Sequence, residues 1–384
     1  MTNVAIVGAA QTPYRRRRDD ASLAELVHEV TVAALADAGL EMGDIDNIVT
    51  VSNDFWDGRT ISSMAVMDAS GSSYAGGKNV STVEGDGTFG LFYGAMRILS
   101  GVYRTTLVVA HSKGSEGDPM MITNSMFDYI YTRPLGLEFI SSCALQARRY
   151  MDKYGLTEAD FALVSVKNRR NALRNPYAQL AGELTVEEVL ASPVLADPLK
   201  RHDLSPISDG AAAVILADSP VALRLGRKPV WLKGGAFCSE DHFLGDRDLA
   251  EAPALREASR RAFEMAGVTD PFREIDVVEL YDACSYMELL WLEEMGFCPR
   301  GEGGTLIRSG ETAPEGSLPV NPSGGVLSAH AVLVAGLARV IEVVLQLRGE
   351  AGPRQLGPKP VELGLAHGIN GPCGQSHCVL VLGA

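Results

Sequence analysis

Three stretches of this sequence set proton-handling or anion-holding residues at turns. The first is NVSTVEGDGTFGLFYGAMRILSG, Asn79–Gly101, which reads as a strand, a glycine-rich turn and a helix. A helix N-terminus offers unpaired amide N–H groups and the positive end of a dipole, so it stabilises an anion there. The turn carries Glu84, Asp86 and Thr88 beside Gly85 and Gly87, and no thiol. Asp86 and Thr88 suit helix caps. Glu84 is a candidate general base, or a carboxylate placed to suit the dipole. The second stretch, VELYDACSYMELLWLEEMGFCPRGEG (Val278–Gly303), puts Tyr281 and Asp282 at the end of a strand. A tyrosine there can move a proton or donate to an oxyanion, and an aspartate can act likewise or orient backbone. The third, LPVNPSGGVLSAHAVLVAGLARVIEVVLQLRG (Leu318–Gly349), has a Gly324-Gly325 turn and then His330. Histidine is the side chain whose ordinary titration lies nearest neutral pH. Two such turns and a strand-end tyrosine are expected to converge at the C-terminal ends of the strands, where α/β sites form.

The elements that must position them alternate between strand and helix patterns, which predicts an α/β fold. Strands are predicted at 3–8, 48–52, 105–111, 208–218, 230–237, 277–281, 360–365 and 377–382. Helices are predicted at 22–38, 87–100, 139–154, 158–175, 253–266, 285–295 and 330–347. Gly39 and Gly267 fit C-caps, and Pro253 fits a first helical turn. Residues 112–134 read as an irregular cap over the site. The second half repeats the scheme of the first, so a duplicated core is expected, with its halves at 1–220 and 221–384 and a cap and loop region at about 112–205.

A chain of 384 residues exceeds the usual single-core domain. A formal net charge of −14 argues against nucleic acid and anionic membrane as partners. No apolar run has the ~18 residues a membrane span needs, and the N-terminus reads as a first strand rather than a signal peptide. A cytoplasmic protein is expected. The six cysteines form no CxxC pair, so no metal site is expected and each thiol reads as a small buried group. Arg15–Arg18 is followed at once by Asp19 and Asp20, which fits a solvated loop.

Four stretches together resemble the thiolase superfamily, most nearly its sterol-carrier-protein-type thiolases. They are VSVKNRRNALRNPYAQ (Val164–Gln179), SPISDGAAAVILAD (Ser205–Asp218), VELYDACSYMELLWLEEMGFCP and LPVNPSGG. The resemblance runs from Asn3 to the C-terminus. It implies a duplicated, five-layered αβαβα thiolase fold, a homodimer and acyl-CoA substrates. Counting back from Ser100-Gly101 puts the family's nucleophilic cysteine at Glu84. The family's His-Asp-Cys-Phe motif becomes Tyr281, Asp282, Ala283 and Cys284 here, and the histidine of its Gly-His-Pro motif falls on His330. The chain thus keeps an imidazole and has neither thiol where the family has one. An acyl-cysteine mechanism needs an activated thiolate, and a carboxylate in its place would give a mixed anhydride prone to hydrolysis.

One branch of the superfamily is similar in its Tyr-Asp pair, the thiolase-fold aldolases of steroid side-chain degradation. They cleave β-hydroxyacyl-CoA by retro-aldol chemistry and place a second tyrosine in the third motif, where this chain has His330. The resemblance therefore implies Tyr281 and His330 as acid/base groups, with Glu84 and Asp282 as further catalytic candidates. Gly85, Gly87, Gly324, Gly325, His367, Asn370 and Lys167 are the expected substrate-binding residues. Coenzyme A enters only as part of the thioester substrate, and no other cofactor is expected. The same branch implies a small partner protein with an OB-fold and zinc ribbon, giving a heterotetramer. A non-catalytic acyl-CoA-binding subunit and a thiolase with an unconventional nucleophile stand as the alternatives.

Overall fold

The computed structural model describes residues 3–58 and 62–384. Its strands are β1 (Val4–Gln11), β2 (Asn47–Ser52), β3 (Asn79–Glu84), β4 (Thr105–Lys113), β5 (Val194–Ala196), β6 (Leu199–Lys200), β7 (Asp209–Asp218), β8 (Val230–Ser239), β9 (Val277–Glu279), β10 (Leu363–Asn370) and β11 (Ser376–Gly383). β5 and β6 form a small hairpin, and the other nine join in the order β3-β2-β4-β7-β1-β8-β11-β10-β9. β2 runs parallel to β3 and β4, and β10 runs parallel to β9. The remaining contacts are antiparallel. The two half-sheets meet only through Ala5 opposite Trp231 and Ile6 opposite Val230, a narrow seam between β1 and β8.

Both faces of each half-sheet are covered, which is why its strands read as nearly continuous apolar runs. Leu107 and Val109 of β4, with Ala213 and Ile215 of β7, face the helix Leu23–Ala38. Their neighbours Val108, Ala110, Val214 and Leu216 face inward. There they meet the helices Gly87–Leu99 and Ala335–Arg348, which lie between the half-sheets. Leu380 and Leu382 of β11 close this central layer from the other side, while Val379 and Val381 face outward to the helices Pro253–Ala266 and Ser285–Glu294. The order is helix, sheet, helices, sheet, helices: a duplicated fold in five layers. Gly87 lets the central helices touch, since a Cβ there would lie 2.4 Å from Leu337 Cβ.

Local sequence explains the helix ends. Ser22 and Glu25 form a capping box, and Gly39 closes that helix at φ 66°. Two expectations need correction. The helix predicted from His330 begins at Ala335 instead. Gly324 and Gly325 have φ of 93° and 64° and open a four-residue turn, Gly325–Ser328; Ala329 is then extended. His330 follows with its backbone tied to Ser208 rather than to a helix. The segment 112–134 is not wholly irregular. It contains the helix Pro119–Ser125, whose N-terminus Asp118 caps by accepting from Met120 N at 2.9 Å. No helix among the described residues is long and apolar enough to cross a membrane.

Candidate active site

A cavity of about 190 Å³ lies where the first and third motifs meet. Trp56, Met126, Phe127, Phe139, Ile140 and Leu204 form much of its wall. Its reactive groups gather around Tyr281, which follows the end of β9 after one residue. The Tyr281 hydroxyl lies 2.7 Å from His330 Nε2 and 3.1 Å from the Val332 carbonyl oxygen. On the far side of the imidazole, Nδ1 lies 2.8 Å from Ser205 Oγ. His330 N–H donates to Ser208 Oγ at 2.9 Å, so backbone and ring are both fixed. The result is a chain of hydroxyl, imidazole and hydroxyl. Its protons have two self-consistent arrangements, with the Tyr281 hydroxyl donating either to His330 or to Val332.

The electrostatics keep this chain neutral at rest. Burial, with a smaller effect of Arg339, pushes the His330 imidazole down to about 3. Burial, and then the nearby Asp86, hold the Tyr281 phenol well above its usual range. Asp86 itself lines the cavity, and burial raises its carboxyl to about 6. It caps the helix Gly87–Leu99 by accepting from Thr88 N at 2.9 Å and Thr88 Oγ1 at 2.7 Å. Its other oxygen accepts from Gly336 N at 2.7 Å, at the start of the helix Ala335–Arg348. One carboxylate therefore joins the N-terminal turns of both central helices. The anion site of the opening turn is thus already filled from within the chain.

The structure brings Tyr281, His330 and Asn370 together in the cavity wall, with Gly85 beside them. Gly85 has φ 136°, and a Cβ there would lie 3.1 Å from Asn370 Nδ2. Glu84 is not brought in. It ends β3 exposed, and its side chain accepts from Asn53 Nδ2 at 3.1 Å. Asp282 lies behind the wall, where its carboxylate accepts from Asn168 Nδ2 at 2.7 Å and Val326 N at 2.6 Å. Gly325 gives it room, since a Cβ there would lie 2.4 Å from Asp282 Oδ1. Gly324 has a similar role against Ala172, 2.7 Å from where its Cβ would stand. Lys167 is buried against Glu288 at 2.7 Å and the Val320 carbonyl at 2.8 Å. His367 sits beneath Tyr281, accepting its backbone N–H at 3.4 Å through Nδ1. That contact fixes the tautomer, so His367 Nε2–H faces His377 Nδ1 at 3.0 Å.

Two residues were missed as members of the site. Ser205 opens SPISDGAAAVILAD, and its only signal in the sequence is a serine just ahead of a buried strand. Asp86 was read as a cap, which it is, but its place in the cavity depends on Gly336 and Gly368 from the other half. A Cβ at Gly336 would lie 1.9 Å from Asp86 Oδ1, and one at Gly368 would lie 2.3 Å from it. No cysteine lines the cavity. Cys143, Cys284 and Cys373 are buried, and burial or mutual contact raises each thiol above its ordinary range. Among the described residues no group of three His, Cys, Asp or Glu could hold a metal ion.

The Thiolase, N-terminal domain family matches residues 4–219, and the Thiolase C-terminal domain-like family matches residues 235–384. The chain belongs to the thiolase superfamily. An acetyl-CoA acetyltransferase of Methanothermobacter thermautotrophicus is 37% identical over 97% of this chain and 98% of its own length. A 17-hydroxy-3-oxo-4-pregnene-20-carboxyl-CoA lyase of Mycobacterium tuberculosis is 30% identical over 90% of this chain and 91% of its own. Among solved structures, the Ltp2-ChsH2(DUF35) aldolase superposes with a TM-score of 0.85 at 28% identity, covering 100% of this chain and 98% of that one. This thiolase-fold chain therefore has relatives named for acyl transfer and relatives named for carbon–carbon cleavage.

Proposed function

We propose that the chain is a carbon–carbon lyase that cleaves a β-hydroxyacyl-CoA with a bulky, apolar acyl group by a retro-aldol reaction. The observation that carries this reading is the Tyr281–His330 hydrogen bond of 2.7 Å at an apolar cavity that no thiol lines. The β-hydroxyl proton passes to the Tyr281 oxygen as the phenolic proton moves to His330 Nε2. The Cα–Cβ bond breaks and its electron pair becomes a thioester enolate, while the β-carbon becomes a carbonyl. The proton then returns to Cα, giving a shorter acyl-CoA, so no proton is gained or lost overall. Ser205 holds the ring through Nδ1. The names of the pregnene-carboxyl-CoA lyase and the Ltp2 aldolase support this class of reaction.

The reading includes a homodimer in the cytoplasm and a small OB-fold, zinc-ribbon partner, and no cofactor beyond the substrate's coenzyme A. The two-component name of the Ltp2-ChsH2(DUF35) aldolase supports a partner. Acyl transfer is the second reading, favoured by the acetyltransferase name of one relative. The absence of a lining thiol weighs against it. The deciding experiment incubates the protein, alone and with a candidate partner, with β-hydroxyacyl-CoA thioesters. A ketone or aldehyde together with a shortened acyl-CoA is expected. Tyr281→Phe should lower turnover by about 10²–10⁴-fold, the worth of a positioned acid/base group. Acyl-CoA binding without cleavage, with every partner tried, would sink the lyase.

A further inference from the structure

Tyr281 stands just beyond the sheet that delivers it. β9 ends at Glu279, the last residue to pair with β10, opposite Ala366. From there side chains take over from the backbone ladder. Leu280 N–H donates to Asn321 Oδ1 at 2.7 Å. Tyr281 N–H donates to His367 Nδ1 at 3.4 Å, and the Tyr281 carbonyl oxygen accepts from Trp291 Nε1–H at 3.1 Å. Among the described residues no backbone group meets either polar group of the Tyr281 main chain. A buried main-chain group left unpaired is costly, so these two rings supply what the sheet no longer does.

Behind Tyr281 three rings form one buried stack. His367 Nδ1 is the acceptor for Tyr281 N–H, so His367 Nε2–H donates to His377 Nδ1 at 3.0 Å. The two imidazoles lie nearly parallel, at 15° with 5.2 Å between centroids, and the Trp291 ring stands edge-on to His377 at 4.8 Å. Burial pushes the His367 imidazole down to about 3; burial, and then His367 beside it, push His377 down as well. Both rings therefore stay neutral at ordinary pH, and the bonds keep this direction. His377 carries its proton on Nε2, which is buried and meets no acceptor among the described residues. Gly374 closes over it, since a Cβ there would lie 2.6 Å from His377 Cε1 and 3.1 Å from Trp291 Cη2. The fold tolerates this unpaired donor at the end of a chain of bonds whose other end is the Tyr281 peptide.

We propose that His367 and Trp291, with His377 behind them, are positioning residues that fix the Tyr281 main chain and so hold its hydroxyl on His330. The proposal rests on the reading of Tyr281 as an acid/base group of a lyase. None of the three touches substrate, because all are fully buried and none lines the cavity. His367, expected from the sequence to bind substrate, instead acts through Tyr281. The hydroxyl stands at the far end of its side chain, so a small turn of the main chain is magnified there. Misplacing a reacting group by about 1 Å can cost about 10²-fold in rate.

Steady-state kinetics of the wild type, His367→Asn, His367→Gln and Trp291→Phe test this, with thermal melts on the same preparations. The substrate is β-hydroxy-β-phenylpropionyl-CoA, whose cleavage gives benzaldehyde and acetyl-CoA. The asparagine amide oxygen stands where Nδ1 stands and keeps the bond to Tyr281 N–H. The glutamine amide nitrogen stands where Nε2 stands and keeps only the bond to His377. His367→Gln and Trp291→Phe should lower kcat roughly tenfold or more with KM within about twofold, and His367→Asn should keep kcat within about threefold of the wild type. Rings that merely fill the core would make the asparagine and glutamine variants lose rate alike, in step with their melting temperatures, and that result overturns the proposal. So does a wild-type kcat in His367→Gln or in Trp291→Phe. Should His367→Gln not fold, Trp291→Phe decides by itself. In each of these outcomes the wild type still cleaves the thioester, so the lyase reading stands. A wild type that leaves this thioester and bulkier ones uncleaved overturns both.

Discussion

At the scale of single residues, the site works by pairing neutral groups rather than by activating a thiol. Tyr281, His330 and Ser205 form one hydrogen-bonded line of 2.7 and 2.8 Å contacts. Ser205 meets no reacting atom in the scheme; it is a positioning residue. Ser205→Ala should therefore lower kcat roughly tenfold, about the worth of one hydrogen bond, with KM little changed. Steady-state kinetics check this, and Ser205→Thr, which keeps the hydroxyl, should recover most of the rate. Equal losses in both variants would point to packing instead. The sequence showed Tyr281 and His330 because both stand in quoted motifs. It did not show that Glu84 faces away, since Glu84 and Asp86 stand only two residues apart and the path of the turn at Gly85 decides which carboxylate enters the cavity.

At the scale of elements, the two central helices are aimed at each other by Asp86, and glycines leave it room. Gly336→Ala is a sharp test because two effects oppose. Alanine gains up to about 1 kcal/mol of propensity over glycine in a helix interior, and at most that in the first turn, where Gly336 stands. Its Cβ would nevertheless lie 1.9 Å from Asp86 Oδ1, and overpacking of that kind costs about 1–3 kcal/mol or more. Packing should win, so urea unfolding should give a lower midpoint for Gly336→Ala than for the wild type. A higher midpoint would mean that Asp86 shifts freely. The helix boundaries at 139–154 and 253–266 were legible from apolar spacing and from caps such as Pro253 and Gly267. The false start at His330 had the same cause. The apolar run from Ala331 to Leu337 is buried except at the half-buried Val332, and periodicity alone cannot separate a buried turn from a buried helix.

At the scale of the whole molecule, buried titrating groups set the pH dependence of stability. His330 and His367 are pushed down to about 3 in the fold, so below about 6.5 the unfolded chain takes up protons that the folded chain refuses. Stability is therefore lost as pH falls through that window. Asp86 has the opposite sign. Its folded value of about 6 lies above the ordinary 3.8, so between these values the folded state holds the extra proton and stability rises as pH falls. Asp86→Asn removes this offset. Urea midpoints at pH 4, 5, 6 and 7 should fall more steeply toward acid in the variant than in the wild type; parallel curves would argue against a raised Asp86. Assembly is the other question at this scale. β3 is an unpaired edge of the sheet, and Met120, Met121, Tyr129, Tyr131 and Leu135 are exposed apolar groups of the cap. Sedimentation should show a species of twice 40.9 kDa, and a monomer at micromolar concentration would remove the homodimer from the proposed function.

The sequence by itself determined the α/β class and the duplication, because apolar runs of strand length alternate with capped helices and the scheme repeats in two halves; the five layers followed from the resemblance to the thiolase superfamily. It also showed the missing thiols, because absence of a residue type needs no coordinates. The tertiary structure decided the site, since its members come from turns far apart in the chain. Asp86 reaches Gly336 across 250 positions, and Ser205 reaches His330 across 125. Contacts of 2.7 and 2.8 Å between such turns depend on how the two halves dock, and no local pattern of residues encodes that docking.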